Sequence, residues 1–256
     1  MRLRPKLIVS FLLASLVPMG LLGYLNYWSA RDALKRQALN DLTLVAEAKE
    51  GHLYGFLDAA KGRAVDFSSD GFIRQHVEAM SGLDSKSPRF ADLQKALSRH
   101  LKNNKQPLDR SIQLISVIDG GGRIVGATDE GDLGADESKD AYFTEGRKGV
   151  HISDVHESPH KAAGKGPHLA VGAPLSGMAT GASLGAIVNF YDTRDLDKIL
   201  SGAFQIEKGA LSGTRGRMET IDIYLVNKEG LLITPSRSGG EVMKQRVETL
   251  PVTACG

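Results

Sequence analysis

From Leu7 to Ala30 the chain carries no charged residue, and most positions are Leu, Ile, Val, Phe, Ala or Gly. A helix of about 20 apolar residues spans a hydrocarbon core of ~30 Å. Tyr24, Tyr27 and Trp28 gather at the far end of the run, as interfacial aromatics do. Arg2, Arg4 and Lys6 precede it, and basic residues favour the cytoplasmic side. The pattern predicts a membrane anchor at residues 1–30 with a cytoplasmic N-terminus, everything from Arg31 onward lying on the far side. A cleavable signal peptide has a shorter apolar core and a small-residue cleavage site. Trp28 suits such a site poorly, and a helical pattern continues past it. No second run of comparable length follows.

From Ser29 to about Phe67 apolar residues recur at helical steps (Leu34, Ala38, Leu42, Val45, Leu53, Phe56, Ala60 and Ala64), with a gap at Lys49. Such a helix suits a rod that lifts a domain off the membrane or pairs with a copy of itself. Gly51, Gly55 and Gly62 weaken it. Shorter helices are predicted over Phe72 to Met80 and around Phe90, Leu93, Leu97 and Leu101. After Pro107 the period changes. Strands are expected at Ser111 to Asp119, Arg123 to Ala127, Val150 to Val155, His168 to Leu175 and Ser183 to Tyr191. Asp129 to Asp140 reads as an acidic loop and Ala141 to Arg147 as a short helix. Asp192 or Thr193 caps a helix carrying Leu196, Ile199 and Leu200.

One segment repeats. Residues 117–128 (VIDGGGRIVGAT) align without gaps on residues 225–236 (LVNKEGLLITPS). Asp119 matches Asn227 and Gly122 matches Gly230. Both read as apolar strand, Asx residue, glycine-closed turn and apolar strand. The expected organisation is an anchor (1–30), a helical region (31–107), a first module (108–204), and a linker with the start of a second module (205–256). The second is too short to close a comparable core, so the chain is expected to stop inside it.

Composition adds exclusions. Against 32 Lys and Arg stand 30 Asp and Glu, a net charge of +2 that gives no reason to expect nucleic acid. The lone cysteine, Cys255, rules out a disulfide framework or a cysteine metal cluster.

Three features together resemble the double Cache sensor region of bacterial transmembrane receptors: chemoreceptors, sensor histidine kinases and diguanylate cyclases. They are the hairpin Leu114 to Val125; the helix Ala141-Tyr-Phe-Thr-Glu-Gly-Arg147 followed by the strand Val150 to Val155; and the strands His168 to Leu175 and Gly185 to Phe190. The segment Ile223 to Ser236 resembles the corresponding part of a second module. The resemblance implies an α+β fold, with a transmembrane helix running into a long helix, then a PAS-like antiparallel sheet and the start of another. It also implies small-molecule sensing in the first module, often as a homodimer through the long helix. The sensor part would be periplasmic or extracellular.

The pocket expected from this resemblance lies between the short helix and the strands after it, with Tyr142, Arg147, His151, Ser153, His168, Asn189 and Tyr191 as candidates. An arginine can hold a carboxylate through paired hydrogen bonds, and a tyrosine can line a pocket while offering its hydroxyl. The bland reading makes Tyr142 and Phe143 core and Arg147 a solvated helix end. Amino-acid-binding members carry Trp-Tyr two residues after the arginine. Here Lys148, Gly149 and Val150 follow Arg147, so an amino-acid ligand is not expected, and the ligand class stays open.

His151, His156, His160 and His168, with Asp154 and Glu157, suggest an alternative: an anchored extracytoplasmic enzyme or metal-binding protein. Against it, no zinc-site spacing appears, Pro159 interrupts His156–His160, and Lys161 and Lys165 oppose a cation. The expected metal set is therefore none, and no cofactor is implied. Gly181-Ala-Ser-Leu-Gly185 fits a nucleophile elbow in letters only, since a strand follows the serine where a helix is needed. The acidic loop lacks the alternation of a calcium loop. No phosphate loop, kinase or cyclase motif appears, so enzymatic output, if any, belongs outside this sequence.

Overall fold

A computed structural model describes residues 3–157, 166–201, 222–236 and 239–247. Arg2, Pro159, His160, Lys161, Lys165, the linker 205–221 and Cys255 lie outside the described residues. The chain divides into two compact units, Met1–Gly51 and His52–Gly256.

The first unit is helical, part of α1 (Leu3–Ser68). It holds a segment long and apolar enough to cross a membrane. Apolar side chains from Phe11 to Trp28 are exposed. Near the end of this run the Tyr24 and Trp28 rings lie tilted to one another, centroids 6.1 Å apart, and the Arg31 guanidinium lies 5.5 Å from the Trp28 ring.

The second unit is built on an antiparallel sheet of β1 (Ile112–Asp119), β2 (Ile124–Ala127), β3 (His151–Ile152), β4 (His156–Glu157), β5 (Pro167–Ser176) and β6 (Ser183–Asp192). The order is β2-β1-β6-β5-β3, with β4 also on β5. The strand expected at Val150 to Val155 is interrupted. Residues 153–155 leave the ladder, although Ser153 N–H still donates to the Ala170 carbonyl at 2.9 Å. Val155 turns in to the core instead.

Successive side chains on a strand point to opposite faces, and both faces of this sheet are covered. On one, Ile115, Val117, Val171, Ala173, Ile187 and Tyr191 pack with Ala60, Ala64 and Phe67 of α1 and with α2 (Gly71–Ser81) and α3 (Pro88–His100). Asp70 caps α2, its Oδ1 accepting from Ile73 N–H at 3.0 Å, and Ser87 caps α3 ahead of Pro88. On the other face Leu114, Ile118, Ala170, Ala186, Val188 and Phe190 pack under the short helix α4 (Ala141–Thr144). Helix α5 (Thr193–Ser201) follows β6.

The sequence repeat recurs in atomic detail at the turn. Asp119 Oδ1 accepts from Gly121 and Arg123 N–H at 2.8 and 3.0 Å, while Gly122 N–H donates to the Asp119 carbonyl at 3.0 Å. Asn227 Oδ1 accepts from Glu229 and Leu231 N–H at 3.1 and 2.8 Å, and Gly230 N–H donates to the Asn227 carbonyl at 2.9 Å. Gly122 and Gly230 take φ of 90° and 76°, the left-handed region that favours glycine. Ile233 from this second hairpin joins the core of the first face.

Candidate functional site

The site is assembled on the face covered by α4. That helix sits close to the sheet because two glycines meet beneath it. A Cβ on Gly172 would lie 2.3 Å from the Tyr142 carbonyl oxygen and 3.1 Å from Gly146 Cα. The close approach buries Tyr142 and Phe143 completely. Tyr142 packs edge-on against Phe190, centroids 5.3 Å apart, and its hydroxyl donates a hydrogen bond to Glu137 Oε2. Burial, and then the Glu137 carboxylate, push the Tyr142 phenol well above its ordinary range. It therefore stays protonated and serves as a donor. Glu137 is itself buried and is fixed by its backbone, whose N–H donates to the Gly122 carbonyl at 2.7 Å. The β1–β2 turn thus places the carboxylate under the phenol.

From Tyr142 a line of polar groups crosses the sheet. The His156 ring stacks on Tyr142, centroids 5.6 Å apart and planes 22° from parallel. His156 on β4 is paired in register with His168 on β5, and His168 is paired with Asp192 on β6. His156 Nδ1 lies 3.0 Å from the Asp154 carbonyl, which only accepts, so Nδ1 carries the proton. In the neutral ring Nε2 is then an acceptor. That atom is buried and has no hydrogen-bond partner among the described residues. Asp192 accepts from Arg194 N–H and Nε at 2.8 and 2.6 Å. Burial would raise its carboxyl. The hydrogen bonds and charge of Arg194, helped by His168, outweigh that and hold it below the usual carboxylate range. The result is a line of polar groups with a carboxylate at each end and a phenol and two imidazoles between them, all buried except the half-buried His156.

The residues singled out in the sequence divide between the two faces. Tyr142 and His168 stand in the polar line, and His151, half-buried, is in register with Gly172 on the same face. Ser153 is buried, but its hydroxyl donates to the Ala170 carbonyl at 3.2 Å and braces the sheet edge. Arg147 is exposed past the end of α4. Its guanidinium lies 5.6 Å from the Phe143 ring, with Nη1 3.4 Å from the Gly120 carbonyl, the solvated-helix-end reading. Asn189 and Tyr191 face away. Asn189 is in register with Ile115 and Val171, and Tyr191 meets the Phe56 ring of α1 edge-on at 5.7 Å. Tyr142, His151 and His168 therefore share one side of the sheet, and Asn189 and Tyr191 the other. Alternation along β6 sends Phe190 and Asp192 to one face and Asn189 and Tyr191 to the other.

Sequence reasoning passed over Glu137, His156 and Asp192 as ligand groups. In the sequence Glu137 is one acid in a loop, His156 one of several histidines near a metal-like cluster, and Asp192 a helix cap. None carried a local signal, because each reaches the site through a nonlocal pairing. As for a metal, no group of three or more His, Cys, Asp or Glu side chains suited to one occurs among the described residues, and His160 lies outside them. Ser183 stands at the start of β6 after a turn, the opposite of a nucleophile elbow.

No family model matches the chain, and no curated protein matches it in sequence. Solved structures do. The sensor domain of the V. cholerae histidine kinase DctB matches with a TM-score of 0.52 and 14% identity, over 64% of this chain and 60% of that domain. The ligand-binding domain of the Pseudomonas fluorescens chemoreceptor CtaA, in complex with L-serine, matches with a TM-score of 0.46 and 15% identity over 84% of this chain and 77% of that one. That of the Pseudomonas aeruginosa PAO1 chemoreceptor PctB, in complex with L-Arg, gives 0.44 and 15% over 78% and 70%. The long N-terminal helix followed by an antiparallel sheet is the fold of Cache-type sensor domains, as the sequence resemblance implies.

Proposed function

We propose that this chain is the extracytoplasmic small-molecule sensing module of a membrane signal-transduction receptor, and that its ligand binds on the α4 face against Tyr142, His156, His168, Glu137 and Asp192. One observation carries the proposal. A Cache-type sheet presents a line of mutually stacked or paired polar groups on the face under α4, Glu137, Tyr142, His168 and Asp192 buried and His156 half-buried. A core built only for stability has little use for such a line, since burying polar groups costs free energy unless each is satisfied. The apolar helix segment supports attachment to a membrane, and the basic residues before it support a cytoplasmic N-terminus. Exposed Leu34, Leu39, Leu42 and Leu44 support pairing of α1 with a second copy. The repeated turn supports a second module beginning near residue 219, with output functions elsewhere.

Signalling follows from linkage. A ligand that binds two arrangements of the sensing unit unequally shifts their populations. The test is a thermal-shift screen of small polar metabolites on the full chain in nanodiscs, repeated on Tyr142→Phe and His168→Gln. A ligand class that raises the melting temperature of the parent, and loses that effect in both variants, supports the site. A ligand whose effect survives both variants places sensing elsewhere.

A further inference from the structure

Strand β6 carries two polar side chains into the face of the sheet covered by α1. Asn189 and Tyr191 are two residues apart, so they point the same way, and both are fully buried. Their neighbours in register are apolar: Ile115 and Val171 beside Asn189, Ile112 and Leu169 beside Tyr191. The stripe of α1 that packs on this face reads Phe56, Ala60 and Ala64 at steps of one helical turn, and it carries no polar side-chain atom. The Asn189 amide oxygen, its amide nitrogen and the Tyr191 hydroxyl are all buried, and none has a hydrogen-bond partner among the described residues. Burial, and then the charge of Asp109, push the Tyr191 phenol well above its ordinary range, against the opposing effects of Asn189 and Arg63. The hydroxyl therefore keeps its proton and can both donate and accept. Arg63 and Asp109 are engaged elsewhere. Arg63 Nη2 donates to the Leu108 carbonyl at 3.5 Å, and Asp109 Oδ1 accepts from Ser111 N–H at 3.0 Å.

We infer that Asn189 and Tyr191 hold internal water between α1 and the sheet, bonded to both the amide and the phenol. Left unpaired, three buried polar atoms would offset much of the stability of an ordinary domain. No side chain within reach on β1, β5 or the α1 stripe can pair with them, so the partner comes from outside the chain. An ion would bring a net charge into an apolar layer that holds no counter-charge. A larger neutral molecule would have to displace the side chains packed there, at the cost of overpacking a closed core. Water is small and neutral, and it donates and accepts at once. Buried waters in proteins make about three hydrogen bonds, the number of polar atoms that await one here. The site lies on the other face of the sheet from the proposed sensing site and shares no residue with it.

The test uses the full chain in neutral nanodiscs with isotope-labelled asparagine. Magic-angle-spinning NMR follows the transfer of proton magnetisation from water to the assigned side-chain amides. Asn103, which is exposed, sets the mixing time at which an amide in contact with water has received magnetisation. The Asn189 amide is expected to receive it at that same mixing time, although it is fully buried. Tyr191→Phe, which removes only the hydroxyl, supplies a second measurement. It is expected to weaken the transfer to Asn189. It is also expected to lower the melting temperature by about 2–4 °C, the shift that loss of one satisfied hydrogen bond produces in a unit of this size. An Asn189 amide that stays dark while Asn103 is lit overturns the proposal. A rise in melting temperature in Tyr191→Phe also overturns it, since removing a hydroxyl that has no partner relieves a cost. Undiminished transfer in Tyr191→Phe with an unchanged melting temperature overturns it too, by separating the phenol from the water.

Discussion

Gly172→Ala tests how the α4 face is built. Gly172 lies within β5 and its φ is not in the left-handed region, so alanine is conformationally allowed. Taken alone, replacing a strand-interior glycine should stabilise the fold by about 0.5–1 kcal/mol. Packing opposes this. The new Cβ would lie 2.3 Å from the Tyr142 carbonyl oxygen, whereas comfortable C···O contacts begin near ~3.3 Å. The oxygen is a backbone atom and the Cβ is fixed rigidly to the backbone, so neither can rotate clear, and α4 must lift by about 1 Å or the strand must bend. Overpacking of this kind costs about 1–3 kcal/mol. The expected net loss is about 1–2 kcal/mol, a fall in melting temperature of about 2–8 °C for a unit of this size. Gly149→Ala is the control, since a Cβ there meets nothing within 4 Å and its φ is also not left-handed. It should be neutral or slightly stabilising. Thermal melts of the full chain followed by far-ultraviolet circular dichroism compare the two. If Gly172→Ala melts at or above the parent, or if Gly149→Ala loses as much, the close docking of α4 is not what positions Tyr142.

Four further outcomes are expected. In a double-mutant cycle, Tyr142→Phe and Glu137→Gln should couple by about 1 kcal/mol or more, and simple additivity of their urea stabilities would refute the buried hydrogen bond. Gly122→Ala should cost more than Gly230→Ala, both in the range of about 1–2 kcal/mol or above, because both need a left-handed φ but only the first drives a Cβ to 2.5 Å from Ser138 Cβ. The reverse order in chemical denaturation would count against that packing. Asp70 is partly buried. Burial raises its carboxyl, but hydrogen bonds from Lys105 and Ile73 N–H, with the Lys105 and His100 charges, hold it below the usual range. A carboxyl depressed in the folded state contributes stability above its unfolded pKa of ~3.9, and that contribution fades as pH falls through the lower folded value. Asp70→Asn, which keeps a good N-cap, should therefore be less stable than the parent at neutral pH and equal to it in strong acid, whereas a constant deficit at all pH values would rule out the ion pair as the cause. Asp119→Ala should destabilise the β1–β2 hairpin, and Asp119→Asn should not, as read by amide hydrogen exchange of Gly121 and Arg123.

Local chemistry made much of this architecture readable from the sequence. The uncharged run to Ala30 and the helical spacing beyond it merge into one helix, Leu3–Ser68. The Asx-glycine turns at Asp119 and Asn227 close as their spacing predicts, because their hydrogen bonds stay within four residues. The strands β1, β5 and β6 lie where the change of period after Pro107 predicts strands. What lay beyond the sequence is everything set by which face meets which element. Strand alternation separates Asn189 and Tyr191 from Phe190 and Asp192, but only the packing of α1 on one side and α4 on the other says which set faces the candidate site. Val150 to Val155 reads as one strand, yet its second half leaves the ladder and Val155 reaches the core. Glu137 meets Tyr142 through a backbone bond to Gly122, and His156, His168 and Asp192 align through the register of three strands. Those contacts depend on chain segments far apart in sequence. Only the closed tertiary structure brings them together, because no local preference of a loop acid or a strand histidine encodes its partner across the sheet.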